Sequence, residues 1–162
     1  MNFTQAVKSG FRNYVKFSGR ASRSEFWWWW LFQVLAPTIV GLLASNLANL
    51  LSIGLILPTL AASVRRVHDT GRTGWWVAWP WISFGVLIVS GIALFIDLGI
   101  ELATSVDWDS STNFDGASGM LLLVVGLSAL SLIVAFVVNL ILLVQKSDPN
   151  LNRFGPPAPP RV

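Results

Sequence analysis

Three stretches of this 162-residue chain, 26–64, 73–96 and 116–145, contain no Asp, Glu, Lys, Arg or His. Nothing else in the sequence constrains the fold as much. A helix of about 20 apolar residues crosses the ~30 Å hydrocarbon core of a bilayer. A soluble domain, by contrast, usually carries about 25% charged residues to cover its wet surface. Here 12% of residues are charged and 54% are apolar. That balance argues strongly against a soluble globular enzyme and predicts an all-α membrane protein.

The first stretch must be divided, because as one helix it would run roughly 58 Å at 1.5 Å per residue. Ser45-Asn46-Leu47-Ala48-Asn49 is the natural break, since Ser and Asn satisfy backbone groups locally in turns. The expected spans are therefore about 23–45, 48–66, 74–97 and 118–146, four transmembrane helices arranged as two hairpins within a 23–146 membrane domain. The first 25 residues interleave charge with apolar residues and the first apolar run is too long for a signal-peptide core, so the first span is expected to stay as an anchor.

Orientation follows from Lys and Arg in the short loops. All eleven basic residues fall within 8–23, 65–72 and 146–161, which four spans place on one side. The 97–117 loop on the other side carries Asp97, Glu101, Asp107, Asp109 and Asp115 with no Lys or Arg. Both termini are expected in the cytoplasm. Location also argues against nucleic acid as a partner, since the basic residues sit beside the spans. The absence of cysteine excludes disulfides and thiol chemistry, and one His leaves little for a metal; no cofactor, metal or catalytic residue is expected.

The tryptophans support the same side. Trp27, Trp28, Trp29 and Trp30 are consecutive, so a helix points them in four directions at nearly one depth. Trp75, Trp76, Trp79 and Trp81 cluster at the start of the third span. Both blocks read as interfacial anchors of an aromatic belt, each indole N–H at the wet edge. Trp108 lies in the acidic loop.

Within the cytoplasmic segment 1–22, residues 3–17 set Phe3, Val7, Phe11, Tyr14 and Val15 at helical spacing opposite Lys8, Arg12 and Lys16. That predicts a short amphipathic helix lying on an anionic leaflet, against the plainer reading of a leader supplying topology charges. Ser22 and Glu25 have capping-box spacing ahead of the Trp block. Arg20 and Arg23 beside them either grip a lipid phosphate or serve as topology charges, the latter favoured. Arg65-Arg66-Val67-His68-Asp69-Thr70-Gly71-Arg72 packs three arginines, the only His and one Asp between two spans. Three readings apply: a structural turn with internal Asp–Arg pairing, a headgroup or partner site, and a His68–Asp69 general base with its orienter. Arg72 precedes a helix N-terminus, where positive charge is unfavourable, so an anion is expected near it, either Asp69 or a lipid phosphate. The lipid- or partner-binding candidates are thus Arg20, Arg23, Arg65, Arg66, His68, Asp69, Arg72 and Arg153. The segment 147–162 is a cytoplasmic Pro-rich tail, expected to be extended, with Phe154 folding back towards the Trp belt.

Gly19-Arg20-Ala21-Ser22-Arg23-Ser24-Glu25-Phe26-Trp27, Arg65-Arg66-Val67-His68-Asp69-Thr70-Gly71-Arg72-Thr73-Gly74-Trp75-Trp76 and Asn152-Arg153-Phe154-Gly155-Pro156 resemble, in order, three signatures of a family of small bacterial inner-membrane proteins, the YhaH-like domain of unknown function 805. Val67 stands where that family is expected to have Leu, and the acidic 97–117 segment is an insertion. The resemblance implies a multi-pass protein of the bacterial inner membrane and no particular activity.

The spans contain no ionisable residue of the kind that coupled transporters use. Gln33, Asn139 and scattered Ser and Thr read as helix–helix glue, and Gly41, Ala44, Ser45 and Ala48 as a close-approach surface within the chain or between protomers. The leading expectation is a non-enzymatic module whose basic cytoplasmic face binds anionic lipid or a protein partner. A small oligomeric channel or transporter comes second, and a lipid-modifying enzyme using His68 and Asp69 third.

Overall fold

The computed structural model describes residues 1–104 and 116–157, and every element among them is helical apart from one isolated Asn152–Gly155 bridge. Five helices follow in order: α1 Phe3–Arg12, α2 Arg23–Gly41, α3 Ser45–His68, α4 Trp75–Thr104 and α5 Gly116–Val144. Among the described residues three segments are long and apolar enough to cross a membrane, Ser45–His68, Trp75–Leu102 and Ser118–Val144. The 19-residue α2 is not one of them, because four tryptophans, Gln33, Arg23 and Glu25 dilute its apolar character. Most of the acidic loop, including Trp108, and the last prolines of the tail lie outside the described residues.

The chain divides into two compact units, Met1–Val77 with Asn139–Val162, and Ala78–Val138. In the first unit α2 and α3 form an antiparallel hairpin. Its register is set by Glu25 opposite Arg65, Trp29 opposite Thr59, and Gly41 opposite Ala48. The turn lies at Leu42–Ala44, not at 45–49. Ser45, Asn46 and Asn49 instead open α3: the residue types that favour turns also suit a first helical turn, whose amides have no intrahelical acceptor. Ser22 caps α2 as its spacing predicts, its Oγ accepting from the Glu25 amide at 3.2 Å. The box is not closed by Glu25, whose carboxylate is held by Ser9 and Arg65 instead.

The core of this unit is Phe26, Trp29, Leu55 and Ala62, with Trp27, Phe32, Leu51 and Leu143 against it. Trp29 corrects the belt reading. It is fully buried, and its indole N–H donates to Thr59 Oγ1 at 3.1 Å, which in turn donates to Gln33 Oε1 at 2.5 Å. Trp28 and Trp30 are exposed and Trp27 is half-buried. Four successive positions of a helix face four ways, so one of them must meet the helix partner.

α1 is shorter than its apolar period, ending at Arg12 with a turn over 13–15. Asn2 and Gln5 close a reciprocal capping box at its start. It rests on α2 through Ala6 and Gly10, which are buried, while Phe3 meets Trp28 edge-on at 5.9 Å and Phe11 meets Trp29 at 5.4 Å and Phe32 at 5.7 Å, both phenylalanines staying exposed on their other side. Lys8 and Arg12, with Lys16 beyond the turn, are exposed. Tyr14 donates its hydroxyl to the Gly54 carbonyl on α3.

In the second unit, α4 and α5 are joined by hydroxyls. Ser83 and Ser131 lie 2.9 Å apart, the Trp79 indole donates to Ser131 at 3.3 Å, and Ser118 donates to Asp97 at 2.5 Å. Such small polar contacts hold helices together where lipid removes the hydrophobic driving force.

The docking of α1 rests on Gly10, where an added Cβ would fall 1.9 Å from Trp29 Cε3. Gly10→Ala is expected to lower stability in detergent by about 1–3 kcal/mol, the usual cost of overpacking. Gly91→Ala, whose Cβ meets nothing within 4 Å, should leave the melting temperature unchanged or raise it. Equal melting temperatures for the two variants would refute the α1–Trp29 contact.

Candidate functional site

The α3 C-terminus brings the charged residues together. Arg65 and Arg66 occupy its last turn, where positive charge suits the helix dipole. Asp69 follows as C-cap, and Gly71 at φ +77° supplies the left-handed backbone that turns the chain towards α4. Gly19, at φ +91°, makes the corresponding turn before α2. The Ala21 amide then donates to the Arg65 carbonyl at 3.0 Å, fixing the 19–22 loop on the α3 end.

Asp69 is the centre. Arg20 Nε donates to its Oδ1 at 2.8 Å and Arg66 Nη1 to its Oδ2 at 2.6 Å, and all three side chains are buried. Both guanidiniums are then completed by backbone carbonyls from distant chain. Arg20 Nη1 reaches Asn150 O at 2.7 Å, and its Nη2 reaches Asp69 O and Asp148 O. Arg66 Nε reaches Leu143 O at 3.0 Å and its Nη2 reaches Gln145 O. Arg66 therefore caps the last turn of α5, whose terminal carbonyls have no intrahelical donor.

The tail does not extend away from the protein. Asp148 N donates to Asp69 O at 3.0 Å, Asn152 Nδ2 to His68 O at 3.1 Å, and Arg153 to Gly71 O at 3.3 Å. Phe154 stacks flat on His68, with ring centres 3.8 Å apart, rather than on the Trp belt. Composition suggested an extended tail, but the guanidinium of Arg20 and the ring of His68 hold residues 148–155 against this unit.

Beside this triad lies a second buried pair. Arg65 Nη1 donates to Glu25 Oε1 at 2.8 Å, and the Ser9 hydroxyl donates to the same oxygen at 2.8 Å. Arg65 Nε and Nη2 are buried and without a hydrogen-bond partner, as is His68 Nδ1.

Five of the eight candidates are thus gathered in the ion cluster or against it: Arg20, Arg65, Arg66, His68 and Asp69. Arg153 lies on its rim. Arg23 and Arg72 are exposed. Arg72 does not reach Asp69, whose oxygens are both taken; it lies over the Trp76 ring at 5.6 Å. His68 and Asp69 form no base–orienter pair, because the carboxylate is held by two arginines. Among the described residues no three His, Asp or Glu side chains gather as a metal site. Of the belt at α4, Trp75 and Trp81 are exposed while Trp76 and Trp79 are half-buried. The Ser9–Glu25–Arg65 contact and the tail carbonyls had no sequence signal beyond Gly19, Gly155 and the Ser22 cap.

Asp69→Asn would leave two buried guanidiniums facing a neutral amide, and breaking a buried pair typically costs about 3–5 kcal/mol. Asp69→Asn and Arg66→Gln are expected to lower unfolding free energy in detergent by that order. Arg72→Gln should change it by no more than about 0.5 kcal/mol, as for surface sites generally. Denaturant titration of the three variants checks the ranking, and a neutral Asp69→Asn would contradict the cluster.

The family described as a protein of unknown function, DUF805, matches residues 14–107. That range includes Arg20, Glu25, Arg65, Arg66, His68, Asp69 and Arg72, and stops short of the docked tail. The chain is 38% identical over 91 residues to inner membrane protein YhaI of Escherichia coli (strain K12), covering 50% of this chain and 77% of that protein. It is 34% identical over 92 residues to inner membrane protein YhaH of the same strain, covering 48% of this chain and 76% of that protein. No solved structure matches it. With more than half its length matched and the buried arginine–aspartate cluster inside the matched range, the chain belongs to the DUF805 family of membrane proteins.

Proposed function

We propose that this protein is a non-enzymatic module of the bacterial inner membrane that crosses the bilayer four times, keeps both termini in the cytoplasm and engages the anionic leaflet through its basic face. The observation that carries this reading is the division of labour among its cations. Arg20 and Arg66 are consumed by Asp69 and backbone carbonyls in a buried structural cluster, whereas Lys8, Arg12, Lys16, Arg23, Arg72 and Arg153 are exposed on the same unit. The relatives, named as inner membrane proteins, support the location.

Four spans require α2 to cross as well. Its 19 residues make about 28 Å of helix at 1.5 Å per residue, close to the ~30 Å core. It pairs antiparallel with the apolar α3, and its charged residues Arg23 and Glu25 lie level with Arg65 at one end. Trp28 and Trp30, exposed on α2, and Trp75, exposed at the start of α4, suit a headgroup-level belt. On α1, the exposed Lys8 and Arg12 add charge beside the exposed Phe3 and Phe11, each cation worth about 1 kcal/mol near an anionic leaflet. A homo-oligomer or another membrane protein is compatible with this face.

The chain has no cysteine, so single-cysteine labelling is clean. A cysteine at Ser18 or Ser147 should be protected from an impermeant reagent in spheroplasts and one at Ser111 should react; labelling of all three would reject the four-span topology. For the leaflet, Lys8→Gln with Arg12→Gln should reduce the phosphatidylglycerol retained by the purified protein, and raised salt should reproduce the loss in the wild type. Retention indifferent to both would reject the surface role. Solute flux through proteoliposomes would favour a channel instead.

A further inference from the structure

Resting on the leaflet reading and narrowing it to one lipid, we infer that α1 carries a discrete headgroup site for a phospholipid with two phosphodiesters. An open groove of about 360 Å³ runs along α1 and the turn that follows it. Lys8, Arg12 and Lys16 line it with the polar side chains of Gln5, Ser9 and Asn13, and its lining includes no carboxylate. The three cations are exposed, and none has a hydrogen-bond or ion-pair partner for its side chain among the described residues. Glu25, which Ser9 reaches from the groove, is already held by Arg65.

The order of contacts along α2 makes the occupant a lipid. On its groove side α1 touches the charged start of that helix, where Ser9 donates to Glu25 at 2.8 Å. On its apolar side it reaches further along the same helix: Phe11 meets Trp29 at 5.4 Å, and Phe3 and Phe11 meet Phe32 at 6.4 and 5.7 Å. Glu25 and Phe32 are separated by roughly 10 Å of helix at 1.5 Å per residue. Tyr14 goes the same way, donating to the Gly54 carbonyl in the middle of α3. The cations therefore sit towards the charged end of the hairpin and the rings towards its apolar length. That is the layering of phosphate over acyl chain in one leaflet. Phe3 and Phe11 remain 39% and 47% exposed, apolar surface that an acyl chain covers and a soluble phosphate leaves wet. Three free cations also exceed what a single phosphodiester neutralises. Lys8 and Arg12 are about one helical turn apart, near 6 Å of rise, and Lys16 follows beyond the turn. The groove thus offers separate points for two phosphates, Arg12 as a planar fork and the lysines as point charges.

The full chain in detergent is titrated with cardiolipin, which carries two phosphodiesters, or with phosphatidylglycerol, which carries one, at matched phosphate. Bound lipids are counted by native mass spectrometry. Cardiolipin should saturate at a single molecule per chain, at concentrations where phosphatidylglycerol is scarcely retained. Lys8→Gln with Arg12→Gln should weaken that binding by about tenfold or more. Arg23→Gln with Arg72→Gln removes the same charge from exposed positions outside the groove and should weaken it by no more than about twofold. All four positions are exposed, so melting temperatures should confirm that both variants fold as the wild type does. Equal weakening by the two pairs, or equal retention of the two lipids per phosphate, means diffuse attraction; either overturns the site and spares the leaflet reading. Displacement of cardiolipin by glycerol phosphate at matched ionic strength overturns the lipid as occupant. Retention of neither anionic lipid overturns the site and the leaflet reading together.

Discussion

A single carboxylate, Asp69, organises the first unit. Held between Arg20 and Arg66 and shut off from water, it joins the loop before α2, the end of α3, the end of α5 and the tail. A buried ion pair need not add net stability, since desolvation opposes the Coulomb attraction. What it does impose is geometry. Two guanidinium planes anchored on one carboxylate direct their remaining N–H groups towards fixed points, and backbone carbonyls from the ends of α3 and α5 and from the tail occupy them. An apolar replacement could fill the same volume but would not select those carbonyls.

The broad plan was legible because lipid imposes it so strictly. Charge-free runs marked α3, α4 and α5 to within a few residues at most ends, and Ser22 was a cap on local grounds alone. The turn of the first hairpin was displaced because Ser and Asn serve both turns and helix starts. Trp29 was grouped with its neighbours because composition treats a belt and a core alike; its burial depends on Gly10 and Thr59, which lie 19 and 30 residues away. Long-range chemistry was the least visible. Among the three readings of the arginine loop, internal Asp–Arg pairing matches the geometry through Arg66, and the second partner is Arg20 across 49 residues instead of Arg72. Nothing local in residues 148–155 announces that their carbonyls are acceptors.

The basic end of the protein thus holds two populations of cations with opposite relations to water. Those in the cluster are buried with every guanidinium nitrogen engaged, and substituting them affects folding before it affects anything else. Those on α1 and in the loops keep their solvation and their reach. Arg65 belongs to neither group, being buried and paired yet left with donors to spare. A scan that removed every arginine in turn would therefore separate the buried ones from the exposed ones by stability alone.

The docked tail also bears on the order of assembly. Arg20 and its acceptor at Asn150 are 130 residues apart, and chains fold as they emerge, beginning with the N-terminal part. While the ribosome is still making α5, Asp69 can hold its two arginines, but their outer N–H groups have only water or lipid to meet. Closure awaits the arrival of residues 143–155. The later-made stretch therefore acts as a latch on the earlier-made hairpin, and until it arrives the cluster stays hydrated and open on that side.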